Sequence, residues 1–246
     1  MRRILLWVNL LTVLLVLGQT AVAVCQEIPA AVPTTPPCVP PFSILKPDTP
    51  KKAFNFLMAG NARYASGKAL LPNQCPWGAG QTPFAEILSC SDARVPPEIL
   101  FDTGNNQLFL VRVAGNTVGN PHVDPPQFPP LDMQNSLMFQ SLEYAVNTFS
   151  SVRLLLVLGH TSCGAVTEAL KGCPGSTSAI TQNICPAIPP GSTDLNAATI
   201  ANVVTQVNLL KGTDPFAGRI RAKTLAIVGG VYDIGTGQIT WVTPTP

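Results

Sequence analysis

Charge is what these 246 residues have least of: 15 Lys and Arg against 13 Asp and Glu make up 11% of the chain, with a formal net charge of +2. An ordinary soluble domain carries about 25%, so nothing here lays down a basic footprint for nucleic acid or a basic surface for an anionic membrane. Long apolar runs are also scarce. After the first 23 residues no stretch approaches the roughly 20 apolar residues that cross a bilayer, which excludes a later membrane span. No internal repeat is found, which excludes a solenoid.

What is present starts with a processing signature. Met1-Arg2-Arg3 is a short basic start, Ile4 to Leu17 is predominantly apolar, and Ala21-Val22-Ala23 fits an A-x-A cleavage site, so residues 1–23 read as a signal peptide. An uncleaved membrane anchor and a lipid-modified Cys25 are the alternatives. Residues 24–49 read as an extended proline-rich leader, since Pro29 to Pro50 is dense in proline and poor in charge. Residues 50–246 suit one domain with a sizeable core. Such a chain would be secreted or periplasmic.

Within that domain the hydrophobic period alternates. Thr49-Pro50 is a cap and first-turn pair, and Phe54, Leu57, Met58 and Ala65 follow at helical spacing until Gly67. Phe84 to Ser89, Leu108 to Val113, Arg153 to Leu158 and Leu225 to Val228 are short apolar runs, and Gln238 to Val242 alternates; all five read as strands. Helical patterns cover Leu131 to Phe149 and Asp194 to Leu210, the second capped by Asp194. Proline-rich loops fall at Pro121 to Pro130 and Cys185 to Gly191. The alternation predicts an α/β domain with a mainly parallel central sheet flanked by helices.

Ligands in such sheets gather at the carboxyl ends of strands. Two of the predicted strands end in chemistry. Cys90 opens Cys90-Ser91-Asp92-Ala93-Arg94, and His160-Thr161-Ser162-Cys163 follows Leu154 to Gly159. Two sulfurs and one imidazole are a soft ligand set that suits zinc, and three protein ligands leave a fourth position for water, which predicts a catalytic centre. Arg94 sits two residues from Asp92, close enough to keep that carboxylate ionised and off the metal, where it would accept a hydrogen bond from the water. Glu86 lies inside a strand where an apolar residue is expected and needs a partner or an edge.

These blocks carry a resemblance. Cys90 to Glu98, Phe109 to Asn116 (Phe-Leu-Val-Arg-Val-Ala-Gly-Asn), Ser141 to Val146 and Gly159 to Val166 resemble, in order, the β-class carbonic anhydrases, and the likeness runs from Gly60-Asn61-Ala62-Arg63-Tyr64 to Gly230 to Gly237. It implies a zinc ion on Cys90, His160 and Cys163, an orienting dyad of Asp92 and Arg94, and attack of zinc-bound hydroxide on CO₂ to give bicarbonate. It further implies a substrate pocket of Gln81, Phe109, Val113, Tyr144 and Gly164. Gln81 favours the plant-like, constitutively open subgroup. The resemblance also implies a homodimer or larger homo-oligomer, with an N-terminal helical arm used in pairing and Gln81 and Phe109 reaching the neighbouring copy's centre.

Two thiolate ligands would leave the water less acidic than an all-histidine site does, so activity is expected to favour mildly alkaline pH. Thr148 stands where some relatives place a shuttling His, and His122 is the only other histidine. Hydrolysis of carbonyl sulfide or carbon disulfide, or a zinc-binding protein without turnover, are the alternatives. Five cysteines remain beside the ligands. Cys173 with Cys185, across a Pro/Gly/Ser loop, is the first expected disulfide and Cys38 with Cys75 the second, unless all are free thiols in a reducing compartment.

Overall fold

The computed structural model describes residues 47–70, 80–119, 136–173, 175–176 and 178–246. The signal and most of the leader, Cys25, Cys38, Cys75, His122 and the 121–130 loop lie outside the described residues, as does the start of the helix expected from Leu131.

Five strands form one sheet: β1 (Ala85–Ser89), β2 (Leu108–Arg112), β3 (Leu154–His160), β4 (Ala226–Tyr232) and β5 (Ile239–Trp241), in the order β2-β1-β3-β4-β5. The first four run parallel and β5 closes the edge antiparallel to β4. All five residues of β1 and all seven of β3 are buried, which is why, Glu86 apart, the two read as short apolar runs and not as alternating ones.

Helices cover both faces. On one side lie α1 (Pro50–Ala65) and α2 (Pro97–Leu100); Ala53, Phe54, Leu57 and Phe101 meet Ile87, Leu154, Leu156 and Leu158 there. On the other lie α3 (Leu137–Thr148), α6 (Leu195–Lys211) and α7 (Phe216–Arg221), whose Phe139, Leu142, Val203, Val207 and Phe216 meet Leu88, Leu155 and Val157. Successive β3 side chains thus serve opposite cores. The expected caps are in place: Thr49 accepts from Lys52 N at 3.2 Å, and Asp194 from Asn196 N and Ala197 N. Two glycines let α6 press onto the sheet. A Cβ on Gly159 would lie 2.6 Å from Val203 Cγ2, and one on Gly229 2.7 Å from Val203 Cγ1.

Short helices are what periodicity does not resolve. α4 (Gly164–Gly172) and α5 (Ala179–Ile184) follow β3, and a 3₁₀ turn over Cys185–Ala187 occupies the start of the expected proline-rich loop. The Cys173–Cys185 disulfide joins the end of α4 to that turn, as expected. No helix among the described residues is long and apolar enough to cross a membrane.

Glu86 finds neither an edge nor a partner. β1 is an interior strand, the side chain is fully buried, and neither carboxylate oxygen meets a hydrogen-bond donor among the described residues. Burial therefore pushes its pKa well up, against the pull of Arg219.

Candidate metal centre

Strand order reverses between β1 and β3: the chain leaves β1 towards β2 on one side and leaves β3 towards β4 on the other. The crevice at such a reversal, beyond the carboxyl ends, is where open α/β sheets bind ligands. Cys90 follows the last residue of β1. His160 is itself the last residue of β3, paired with Tyr232, so the strand runs two residues further than its apolar stretch suggests. Ser162, at φ 56°, turns the backbone through the left-handed region and brings Cys163 back to the N-terminus of α4. Such strain in a non-glycine residue is characteristic of functional turns.

The result is a compact donor set. The ligand atoms of Cys90, His160 and Cys163 lie within 4.8 Å of one another, and all three residues are buried. His160 Nδ1 lies 2.9 Å from the Thr161 carbonyl, an acceptor, so Nδ1 carries the proton. Nε2 is then the free lone pair, buried and without a hydrogen-bond partner among the described residues. The two thiols hold one proton between them: sharing it with Cys163 drives Cys90 down, and the same interaction together with burial drives Cys163 up. Burial pulls His160 down, but the Cys90 sulfur, the Thr161 carbonyl and Asp92 together outweigh it and the net shift is upward. An orphaned imidazole nitrogen facing a thiol pair that cannot both ionise is the arrangement a divalent cation completes.

Asp92 stands beside this set, with Oδ2 3.9 Å from His160 Nε2. Arg94 grips it with Nε to Oδ1 at 2.9 Å and Nη2 to Oδ2 at 2.7 Å, and the Arg94 backbone N–H also donates to Oδ1. That fork holds the carboxyl well below the usual carboxylate range. Arg112, which sequence reasoning passed over, ties down the turn from outside: its Nε donates to the Cys90 carbonyl at 3.1 Å and its Nη2 to the Asp92 carbonyl at 2.7 Å.

The expected pocket residues divide. Gly164 follows Cys163 directly, and the Val113 N–H donates to Ser89 O at 3.0 Å, one residue from Cys90. Phe109 is level with Glu86 on β1, four residues short of Cys90, or about 13 Å at the usual rise of a parallel strand. It clusters with Tyr144 and Phe149, ring centroids 6.2 and 5.9 Å away. Gln81 is exposed before the start of β1, whereas Cys90 follows its end. The chain does not gather Gln81, Phe109 and Tyr144 at its own donor set.

Residues 85–239 match the family model described as carbonic anhydrase. Carbonic anhydrase 2 of Mycobacterium tuberculosis is 32% identical over 205 residues, covering 77% of this chain and 91% of the relative. The carbonic anhydrase of Mycolicibacterium smegmatis is 31% identical over 208 residues, with 77% and 92% covered. In fold, the tetrameric β-carbonic anhydrases of Sordaria macrospora match 78% of this chain and 98% of theirs, at 20% identity and a TM-score of 0.53.

The chain belongs to the β-class carbonic anhydrase family.

In this carbonic anhydrase Cys90 follows β1, while His160 ends β3, the next strand in space, and Cys163 follows three residues later. The Coccomyxa β-carbonic anhydrase in complex with acetazolamide has the same fold, with 23% identity, a TM-score of 0.51, and 77% of this chain and 81% of that one covered.

Proposed function

We propose that this carbonic anhydrase catalyses the reversible hydration of CO₂ to bicarbonate, with zinc held by Cys90, His160 and Cys163. The observation that carries this reading is the buried Cys90–His160–Cys163 set with Asp92 beside it and held by Arg94. Zinc in such a set would bring the ionisation of water from about 15.7 towards about 7, making a nucleophile available near neutral pH. Cys90 and Cys163 would hold the ion as thiolates, the latter helped by the backbone N–H groups of Ala165 and Val166. His160 offers Nε2. Asp92, ionised and immobilised, accepts the hydrogen bond of the attacking water and aims its lone pair. Because both oxygens of Asp92 are engaged by Arg94, the carboxylate is kept from becoming a fourth ligand; with Gln81, this supports the open-site subgroup.

Stopped-flow CO₂ hydration on zinc-loaded protein tests the reading. Wild type should carry about one zinc per chain and turn over; Asp92→Asn should keep the zinc and lose roughly 10²- to 10⁴-fold in rate; Cys163→Ser should lose the zinc. If wild type and Asp92→Asn are equally slow while both hold zinc, the activity is absent. Carbonyl sulfide and carbon disulfide, run in parallel, identify the other substrates.

The active form in this reading is a homodimer or larger homo-oligomer, with α1 as the pairing arm and Gln81, Phe109 and Tyr144 lining the partner copy's centre. Their distance from the chain's own donors supports it, as does β2, an edge strand with half-buried Leu108, Phe109 and Leu110. Activity should follow the dimer peak on sizing and vanish with the monomer. The secreted or periplasmic placement is supported by the Cys173–Cys185 disulfide, a bond that persists in oxidising compartments. Amino-terminal sequencing of exported protein should begin near Val24.

A further inference from the structure

Helix α6 buries two side-chain amides in an otherwise apolar face. Asn202 and Gln206 stand one turn apart, both fully buried, with Val203, Val207 and Leu210 around them. Polar groups in such a place are expensive unless every one is engaged. Here they are engaged with each other and with one short stretch of backbone. Gln206 Nε2 donates to Asn202 Oδ1 at 3.2 Å, Asn202 Nδ2 donates to the Gly115 carbonyl at 2.9 Å, and the Val118 N–H donates to Gln206 Oε1 at 2.9 Å. The amide pair therefore grips residues 115–118 at two points.

What that stretch does is touch the donor set. The Gly115 N–H points at Cys90 Sγ, at 3.4 Å and buried. Gly115 takes φ 77° and Asn116 φ 47°, so the backbone turns through the left-handed region at the point of contact and needs an external hold. A side chain at 115 has no room, since a Cβ would lie 2.6 Å from Ile184 Cδ1. The close seating of α6 through Gly159 and Gly229 brings the amides within reach.

We propose that Asn202 and Gln206 are positioning residues for the metal centre, acting through the 115–118 backbone to hold the Gly115 N–H on the Cys90 sulfur. An N–H bond to a ligand thiolate withdraws electron density from it and fixes its direction, so the amides set both how firmly Cys90 grips the ion and how much charge it donates. The inference rests on the metal reading of Cys90, His160 and Cys163.

The test uses full-length protein loaded with zinc or with Co(II), whose thiolate-to-metal charge-transfer band reports sulfur donation directly. Asn202→Leu should weaken zinc ten- to a hundredfold in chelator competition, move the Co(II) band to lower energy and speed hydrogen exchange at the Gly115 amide. Gln206→Met should do the same to a smaller extent, and serves if Asn202→Leu does not fold. Val207→Ala, on the same face but outside the chain of amides, should lower the melting temperature and leave the band in place. If the folded amide variants hold zinc within threefold of wild type with the band unmoved, or if Val207→Ala moves it equally, the inference is wrong and the metal reading stands. Wild type that takes up neither ion overturns both.

Discussion

Replacing Glu86 by Gln should make the protein more stable, and increasingly so as the pH rises. The sign follows from burial. In the unfolded chain the carboxyl ionises near pH 4.3; in the folded chain its pKa is raised well above that, because the side chain is fully buried in β1 with no donor for either oxygen. Below about pH 4.3 both states hold the proton and the group is neutral in the balance. Above it the folded state alone keeps the proton, and stability falls by about 1.4 kcal/mol per pH unit until the raised value is reached. Arg219 opposes this, but its Nη1 and Nη2 already donate to the Val146 and Val152 carbonyls at 2.7 and 2.6 Å. Glu86→Gln removes the titration and leaves the orphaned polar atoms. Glu86→Met removes both and adds about 1–3 kcal/mol. Urea unfolding of wild type and both variants at pH 5, 6 and 7, followed by circular dichroism, measures the differences. The gap between wild type and Gln should widen with rising pH, by about 1.4 kcal/mol per unit up to the raised value. Parallel stability curves, or a Met variant less stable than wild type, would refute the reasoning.

Further outcomes follow from the same packing. Cys173→Ser should cost about 3 kcal/mol, the loop-closure value for the twelve-residue separation, read as a lowered urea midpoint that reductant reproduces in wild type. Gly159→Ala should destabilise by about 1–3 kcal/mol through the clash with Val203 Cγ2, and Gly159→Ala with Val203→Ala should recover part of it; calorimetry showing no loss in the single variant would mean α6 sits further from β3. In Arg94→Leu the Asp92 carboxyl should return towards its ordinary value near 3.9, visible as a carboxyl carbon resonance titrating where wild type shows none, because Arg94 is the first cause of its depression.

The strands and the two long helices are legible from hydrophobic period and caps alone, and so is the donor set, because Cys90 and His160 each close an apolar run. Other features depend on contacts that sequence spacing does not encode. α4 is nine residues long and begins just after Cys163, too brief for a period to register. Asn202 and Gln206 look like ordinary solvent positions until β3 and β4 are seen to seat α6 over the 115–118 turn. Glu86 is conspicuous in the sequence, yet only the strand order shows that it has no edge to reach. The family likeness supplies Gln81 and Phe109 as pocket residues, and only the strand register, which sets Phe109 level with Glu86, and the start of β1 after Gln81 show that both lie away from the chain's own centre.

The reversal of strand order between β1 and β3 also dictates when the centre can exist. Parallel neighbours cannot be joined by a hairpin, so Cys90 and His160 meet only after β2 and α3 have been laid down between them and the chain has crossed back. A half-assembled polypeptide offers isolated thiols with no common grip on an ion. The donor set is therefore a late product of folding, assembled only once β1 and β3 lie side by side.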